Sequence, residues 1–304
     1  MENYNVKKAN RSRLKRMSVG DALIIYIPVI FFVLLCLLPF IALLSSSFTS
    51  SDFLNEYGVT LIPREFSLSA YETIFMYPES IFKAYGVSIG VTVIGTVLNL
   101  IISCMVAFPL SRPEYKYKNI VSFILYVSMI FNAGLIPTYI WFRNYLHIFD
   151  TIWVLILPNV CIVGYVFLLR VFYAGVPSEI AESARVDGAS EYLILLQIAS
   201  PLIMPGIATV AFYTVLFYWN DPNSALYYTD NPDFTPIALY MSRISNYIEA
   251  LKWLAQTGQM VDFDIPEDSL VFATAIVTSG PMLFVFTFFQ KYFVAGLTSG
   301  GVKG

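Results

Sequence analysis

The residues best suited to a specific polar contact lie together in the segment VPSEIAESARVDGASEYLILLQIASPLIMPG. Its carboxylates Glu182 and Asp187 can pair with cations on another protein, and Gly188 after an aspartate favours a sharp turn. Four small side chains beside them are expected to leave a shallow helix surface that another backbone can approach: Ala181, Ser183, Ala184 and Ala189. The pattern predicts a docking site, with a purely structural loop as the alternative.

Two short helices joined by a turn are predicted for this segment. Ser178 is expected to N-cap the first helix, with Glu179 in its first turn, where the helix dipole favours negative charge. Asp187 and Gly188 mark the turn. A second helix is expected over 189–197 and would lead into the next apolar run.

Elsewhere the chain contains few residues suited to catalysis or metal binding. His147 is the single histidine, so neither a metal site nor a Ser-His-Asp triad is predicted. The cysteines Cys36, Cys104 and Cys161 lie in apolar runs, and we expect buried side chains without a disulfide framework. No G-x-x-x-x-G-K-[ST] loop occurs, so the chain is not expected to hydrolyse ATP.

The composition indicates a membrane protein. Of 304 residues, 57% are hydrophobic and 13% are charged, with a mean hydropathy of +0.67. About a quarter of the residues in an average soluble domain are charged. The net charge of −3 is not that of a basic protein and no basic stripe occurs, which excludes nucleic-acid binding.

Six apolar stretches are long enough to cross about 30 Å of hydrocarbon as helices. The first follows a basic tail that resembles the start of a signal peptide, but the run is too long and lacks a convincing cleavage site, so we expect a permanent membrane helix. Pro201 and Pro205 are expected to kink the fifth. The predicted spans are 22–44, 84–110, 119–141, 152–173, 198–219 and 269–290.

The distribution of charge predicts the orientation in the membrane. Six spans place both termini on one side, which holds 13 of the 18 Lys and Arg residues and has a net charge of +6, against −9 on the other. Because Lys and Arg in short loops favour the cytoplasm, both termini are predicted to be cytoplasmic. The expected organisation is a basic tail over 1–21, a membrane domain over 22–290 with a cytoplasmic loop at 174–197, and a tail over 291–304.

Two outer segments are long, at 45–80 and 220–268. The second begins with turn-forming residues and continues as IALYMSRISNYIEALKWLAQ, in which apolar residues recur at helical spacing. These residues are Ile237, Tyr240, Met241, Ile244, Tyr247, Ile248 and Leu251. We predict an amphipathic outer helix that either caps its own helix bundle or docks a soluble partner.

Aromatic and polar residues near the fifth span are candidates for a translocation path. Tyr213 and Phe217 offer ring faces that stack on sugars, although an aromatic belt at the membrane interface is the alternative. Asn99, Thr209 and Thr214 are polar at membrane depth and are expected either to line a wet cavity or to bond between helices. No carboxylate or histidine relay lies within the predicted spans, which argues against proton-coupled transport.

The loop segment resembles the EAA motif of permease subunits of type I ABC importers. That motif has an EAA triplet and a DGA triplet, matched by Glu182-Ser183-Ala184 and Asp187-Gly188-Ala189, followed by an isoleucine and two prolines, matched by Ile198, Pro201 and Pro205. Ser183 departs from the family's alanine. The resemblance implies the MetI-like permease fold, with this loop as coupling helices seated in a cleft of a cytoplasmic ATPase. It further implies that Glu182 pairs with an arginine there and that Gly188 is a hinge.

The carboxyl end, FQKYFVAGLTSGGVKG, resembles the tail of the maltose-permease MalG branch. In that branch the tail inserts between the ATPase subunits, a role that the resemblance implies for Gly300, Gly301, Val302, Lys303 and Gly304. The long outer segments and short basic tail are most similar to the LplC/YtcP-like group of carbohydrate permeases.

The resemblance implies a transport subunit and not an enzyme, in the cytoplasmic membrane of a bacterium. The expected partners are a second homologous permease subunit, two copies of an ATPase that bind ATP and Mg, an extracellular solute-binding protein and the lipid bilayer. No cofactor, metal or catalytic residue is expected in this chain. An oligosaccharide is the expected cargo; the alternatives are an ABC permease for peptides or another solute, a secondary transporter acting alone and, more remotely, an intramembrane enzyme.

Overall fold

The computed structural model describes residues 19–257 and 267–300, in which all regular elements are helical. The predicted all-α architecture is therefore confirmed. The described residues divide into two compact units, one formed by 19–71 and 267–273 and the other by 72–257 and 274–300. Each unit is internally packed by its own contacts.

The first unit contains a long helix and the outer segment that follows it. Its helices are α1 (Val19–Ser47) and α2 (Ser51–Tyr57), and α3 (Ser69–Ile74) begins in it. Phe48 stacks between Phe66 and Tyr71, with ring centroids 5.7 and 5.0 Å away, and the Tyr71 hydroxyl donates to Ser47 Oγ at 2.9 Å. These contacts fold the start of the predicted outer segment 45–80 back onto the end of α1.

The second unit contains most of the helices. They are α4 (Pro78–Ser111), α5 (Lys118–Ile130), α6 (Leu135–Ile140), α7 (Ile152–Ile156), α8 (Val163–Ala174), α9 (Ser178–Val186), α10 (Glu191–Leu193), α11 (Ser200–Leu202), α12 (Met204–Trp219), α13 (Asn223–Tyr228), α14 (Ile237–Gln256) and most of α15 (Glu267–Gly300). Between α4, α8 and α12 lies a core that includes Phe108, Leu169, Tyr173 and Val210.

The described residues contain six candidate membrane spans if each of three bent helix pairs is counted as one span. The continuous ones are Leu23–Ser47, Pro78–Ser111 and Asp268–Tyr292. The bent pairs are Lys118–Ile130 with Leu135–Tyr145, Ile152–Asn159 with Val163–Ala174, and Glu191–Leu202 with Met204–Trp219, which turn by 109°, 47° and 87°. The expectation of a continuous helix over 119–141 and 152–173 is wrong, while the predicted kink in the fifth span is confirmed.

Each bend has a local cause in the sequence. Gly134 adopts a φ of +85° between the two halves of the third span, a conformation that favours glycine. Pro158 lies in a short 3-10 turn that ends the first half of the fourth span. The fifth span breaks at Ile203, between Pro201 and Pro205, each of which lacks the N–H that would continue the helical bonding.

Helix α14 matches the helix that was predicted for the outer segment 220–268. Its buried side chains include Ile237, Met241, Ile248 and Leu251, whereas Tyr247 is exposed. The Ile237 N–H donates to Ser88 Oγ of α4 at 2.8 Å, which ties the helix start to its own bundle. The apolar face therefore packs on the chain itself, and part of the predicted segment, 258–266, lies outside the described residues.

The cysteines do not share one environment. Cys104 and Cys161 are half-buried, but Cys36 is exposed on α1. The expectation of burial is wrong for Cys36, because the apolar stretch of α1 around it is exposed.

Candidate functional site

The first predicted loop helix is present as α9. Glu179 lies in its first turn, as expected, but Ser178 is the first helical residue and makes no capping bond. Pro177 is the N-cap residue, with φ of −54° and ψ of 134°, and its side chain makes no capping hydrogen bond. The predicted Ser178 cap is therefore wrong, because the helix begins one residue earlier than that cap requires.

A Schellman motif ends α9 at the predicted turn. The Gly188 N–H donates to Arg185 O at 3.0 Å, and the Ala189 N–H donates to Ala184 O at 2.9 Å. This pattern places the glycine in the left-handed region, and Gly188 has a φ of +86°. The requirement for glycine comes from this backbone conformation and not from lack of space, because no atom lies within 4 Å of a Cβ added at Gly188.

The second loop helix starts at Glu191, two residues later than expected. Ser190 is its N-cap, with the Leu193 N–H donating to the Ser190 hydroxyl at 3.4 Å, and the helix continues into a π-helical turn over Ile194–Ala199. An ion pair of 2.7 Å between Arg185 and Glu191 joins the two loop helices. Sequence reasoning missed this cap, although serine followed by an acidic first turn is a usual helix start.

The loop presents one face to the chain's own core and another to its surroundings. Ala181 and Ala184 are buried in that core, so the expectation that they form a shallow surface for a partner is wrong. Their small size instead lets α9 lie close to the bundle. The exposed residues of the loop include Glu182, Ser183, Val186 and Asp187, with Val186 88% exposed.

The predicted path residues separate into two groups. Asn99 and Thr214 are fully buried, and the Thr214 hydroxyl lies 3.4 Å from Asn99 Oδ1 and 2.8 Å from Val210 O. Asn99 Nδ2 also donates to Asn159 O at 3.4 Å, at the break of the fourth span. Of the two expectations for these residues, bonding between helices fits this pair.

The other group forms a stripe of three aromatic side chains and one hydroxyl, here called the aromatic stripe. It consists of Thr209, Tyr213 and Phe217 on α12 and Tyr165 on α8. The α12 residues are four apart and therefore share one helix face. Tyr213 and Phe217 are exposed, and Tyr165 stacks on Tyr213 with ring centroids 6.4 Å apart. Sequence reasoning missed Tyr165. The available signal was Pro158, which ends the preceding helix and thereby changes the direction of α8.

Nothing in the described residues suggests a catalytic or metal site. No group of three or more His, Cys, Asp and Glu side chains in that part of the chain could hold a metal ion. His147 has a φ of +52° in the connector before α7. Of the predicted tail contacts, Gly300 is the last residue of α15, and Gly301, Val302, Lys303 and Gly304 lie outside the described residues.

Comparisons with known proteins agree on one class. The chain is 32% identical over 286 residues, 93% of its length and 98% of the relative's, to the polygalacturonan/rhamnogalacturonan transport system permease protein YtcP of Bacillus subtilis. It is 32% identical over 269 residues to the protein LplC of the same organism, covering 88% of this chain and 90% of that protein. No family model matches.

A solved structure gives the same class. The crystal structure of a bacterial ABC transporter involved in the import of the acidic polysaccharide alginate contains a chain that matches with a TM-score of 0.76 and 25% identity, covering 91% of this chain and 99% of that one. Bent membrane helices and an exposed loop helix pair thus define an ABC-importer permease. The chain belongs to the family of carbohydrate ABC-importer permease subunits that includes YtcP and LplC. It is a transport component of an ABC import system and not an enzyme.

Proposed function

We propose that this chain carries oligosaccharides, derived from plant or algal polysaccharides, across the cytoplasmic membrane of a bacterium by alternating access. The observation that carries the cargo is the similarity over nearly the whole chain to YtcP, a polygalacturonan and rhamnogalacturonan permease by name. The alginate importer supports the same class of cargo. The aromatic stripe supports it chemically, because exposed ring faces stack on sugars.

The coupling partner is a cytoplasmic ATPase, present in two copies that bind ATP and Mg. The exposed face formed by Glu182, Ser183, Val186 and Asp187 seats in a cleft of that ATPase, with Glu182 pairing with an arginine. The Schellman turn at Gly188 and the Arg185–Glu191 ion pair hold the two loop helices as one unit. Such a unit transmits movement between the ATPase and the membrane helices, which alternate between two packings.

The predicted grouping of the connecting segments into two sides is supported by which residues lie together in the second unit. Lys83 and Asp233, both predicted to be outside, form an ion pair of 2.5 Å. Arg112 and Arg185, both predicted to be inside, line one cavity. The assignment of the Arg112 side to the cytoplasm comes from the Lys and Arg distribution between the two sides.

Two further partners complete the proposal. A second homologous permease subunit forms the pore with this chain, and an extracellular solute-binding protein docks on the outer surface that includes the exposed side of α14. Tyr247 and Trp253 supply apolar area on that side. The carboxyl-terminal residues 300–304 contact the ATPase pair.

Solute-stimulated ATP hydrolysis by the reconstituted complex tests the cargo. Oligogalacturonides, rhamnogalacturonan fragments, alginate oligomers, neutral oligosaccharides and peptides are compared, each with the cognate binding protein present. We expect stimulation by one or more oligosaccharides and none by peptides. Stimulation by peptides alone would contradict the cargo, and uptake without any ATPase subunit would indicate a secondary transporter.

A further inference from the structure

The residue that follows α4, Arg112, has a buried cationic side chain. Arg112 is 7% exposed, yet its Nε and Nη2 atoms have no hydrogen-bond partner among the described residues. Its guanidinium lies over the Phe108 ring, 4.6 Å from the centroid. Burial and repulsion from Arg185 lower the pKa of Arg112, and attraction to Glu114 and Glu191 offsets part of that lowering. Burying a charge without an acceptor is unfavourable, so an anion brought to this guanidinium is stabilised.

Arg112 lines a cavity of about 400 Å³ that has one charged end. The other charged side chains there are Glu114, Arg185 and Glu191. Arg185 and Glu191 neutralise each other through their 2.7 Å ion pair. Glu114 is exposed, so water screens its charge. Arg112 is thus the one buried charged side chain among the residues that line the cavity.

An apolar groove of about 390 Å³ adjoins the charged cavity. Met105, Tyr192 and Leu195 line both, and the groove continues along α4 to Ile101 and on the other side to Leu196. Its surface is apolar, and α4 is one of the helices long enough to span a membrane. The charged cavity lies where that helix ends, so the groove runs from the membrane boundary towards the hydrocarbon.

We propose that this combined site binds one membrane glycerophospholipid, whose phosphate contacts Arg112 and whose acyl chain occupies the apolar groove. A phosphate next to a hydrocarbon chain matches a cation next to an apolar groove, and both cavities have volumes of about 300–1,000 Å³, which is typical of ligand sites. A free phosphate would leave the groove unused. A second cavity of about 430 Å³ also reaches Arg112, but it is lined by Ser178 and Glu179 and does not continue as an apolar groove.

The bound lipid would connect the bilayer to the ATPase-coupling loop. Its phosphate lies between the end of α4 and the loop helices, next to the Arg185–Glu191 ion pair that joins them. Membrane composition would then affect how firmly the loop helices are held, without any contact to the cargo.

Native mass spectrometry of the purified, assembled transporter tests the site. Phosphatidylethanolamine, phosphatidylglycerol, diacylglycerol and inorganic phosphate are added separately to wild-type and variant complexes. We expect this subunit to retain the two phospholipids and not diacylglycerol. Arg112→Met should lower phospholipid retention by roughly tenfold, the loss of one charge-assisted contact. Arg170→Met is the matched control, because Arg170 bonds to Ser122 and lies outside the site.

A second variant keeps the test valid if Arg112→Met fails to fold. Leu196 is 67% exposed, so Leu196→Trp fills the groove without disturbing the core and should also lower phospholipid retention, while Leu202→Trp outside the groove should not. Equal retention of phospholipid by Leu196→Trp and wild type overturns the proposal. Displacement of the lipid by inorganic phosphate also overturns it.

Discussion

The ring of Tyr218 occupies the space that a Cβ atom on Gly95 would need, since such an atom would lie 2.5 Å from two ring carbons. The Tyr218 hydroxyl donates to Ile156 O at 2.9 Å, so the ring is held at both ends. This contact brings α4, α7 and α12 together. Within a membrane the hydrophobic effect does not drive helices together, so close packing at small residues of this kind stabilises the bundle.

Gly95→Ala should destabilise the helix bundle. Overpacking of a buried site costs about 1–3 kcal/mol, which outweighs the gain in helix propensity. Gly90→Ala in the same helix is the control, because nothing lies within 4 Å of its added Cβ, and it should be neutral or stabilising. Thermal unfolding in detergent measures both variants, and equal midpoints would contradict the packing role of Gly95.

Gly188→Asp should abolish uptake while the protein still reaches the membrane. Both Asp and Asn tolerate positive φ better than most residues, so each should cost about 1 kcal/mol at the turn. Only Asp adds a negative charge to the exposed docking face, and Gly188→Asn should therefore retain most uptake. Transport assays in vesicles, at equal subunit stoichiometry, compare the two. Normal transport by Gly188→Asp would exclude this turn from coupling.

Glu182→Gln should weaken the stimulation of ATP hydrolysis by solute. Glu182 is exposed and, in the proposal, pairs with an arginine of the ATPase, so its loss should lower solute-stimulated ATP hydrolysis by roughly tenfold. Glu179→Gln is the control, because it is an exposed glutamate on the same helix. Similar stimulation in both variants would argue against a specific role for Glu182.

Thr214→Val should weaken the bonding between α4 and α12. Its hydroxyl reaches Asn99 Oδ1, and side-chain bonds of this kind in membranes contribute about 0.5–1.5 kcal/mol. Thr209→Val is the matched control, since the Thr209 hydroxyl bonds to Pro205 O within its own helix region. Unfolding in a denaturant series should show a loss for Thr214→Val and a smaller one for Thr209→Val; the reverse order would contradict the assignment.

The connector before α7 should loosen in acid through Asp150. Hydrogen bonds from the Thr229 hydroxyl and then from the Asn231 and Asp230 N–H groups lower the pKa of Asp150. A depressed carboxyl pKa stabilises the connector at pH values above about 4, and this contribution is lost as the pH falls through the lowered pKa. Hydrogen exchange of the Asp230 and Asn231 amides, corrected for intrinsic rates, should show that loss.

Asp150→Asn serves as the control for the acid effect. Asparagine tolerates the φ of +58° at this position and keeps an acceptor oxygen, but it does not titrate. Amide protection in this variant should be lower than wild type at neutral pH and flat across the acidic range. A matching acid transition in the variant would place the titrating group elsewhere.

The membrane class, the number of spans and the position of the turn at Gly188 could be predicted from sequence, because they depend on local quantities. Apolar length determines whether a helix can cross a bilayer, and glycine and proline restrict backbone conformation wherever they occur. The same local patterns predicted α9 and α14 and the kink at Ile203. The local patterns gave a wrong prediction at Ser178, because the helix begins at that residue and not after it.

Contacts between segments distant in the chain could be decided only by tertiary packing. Whether Ala181 and Ala184 face a partner or the core, whether Asn99 meets water or Thr214, and whether Tyr165 lies beside Tyr213 all depend on how bent helices pair. Small changes in the bends at Gly134, Pro158 and Ile203 rotate whole helix faces. Sequence alone therefore determined a membrane permease with a docking loop, and the tertiary structure decided which face of that loop is free to dock.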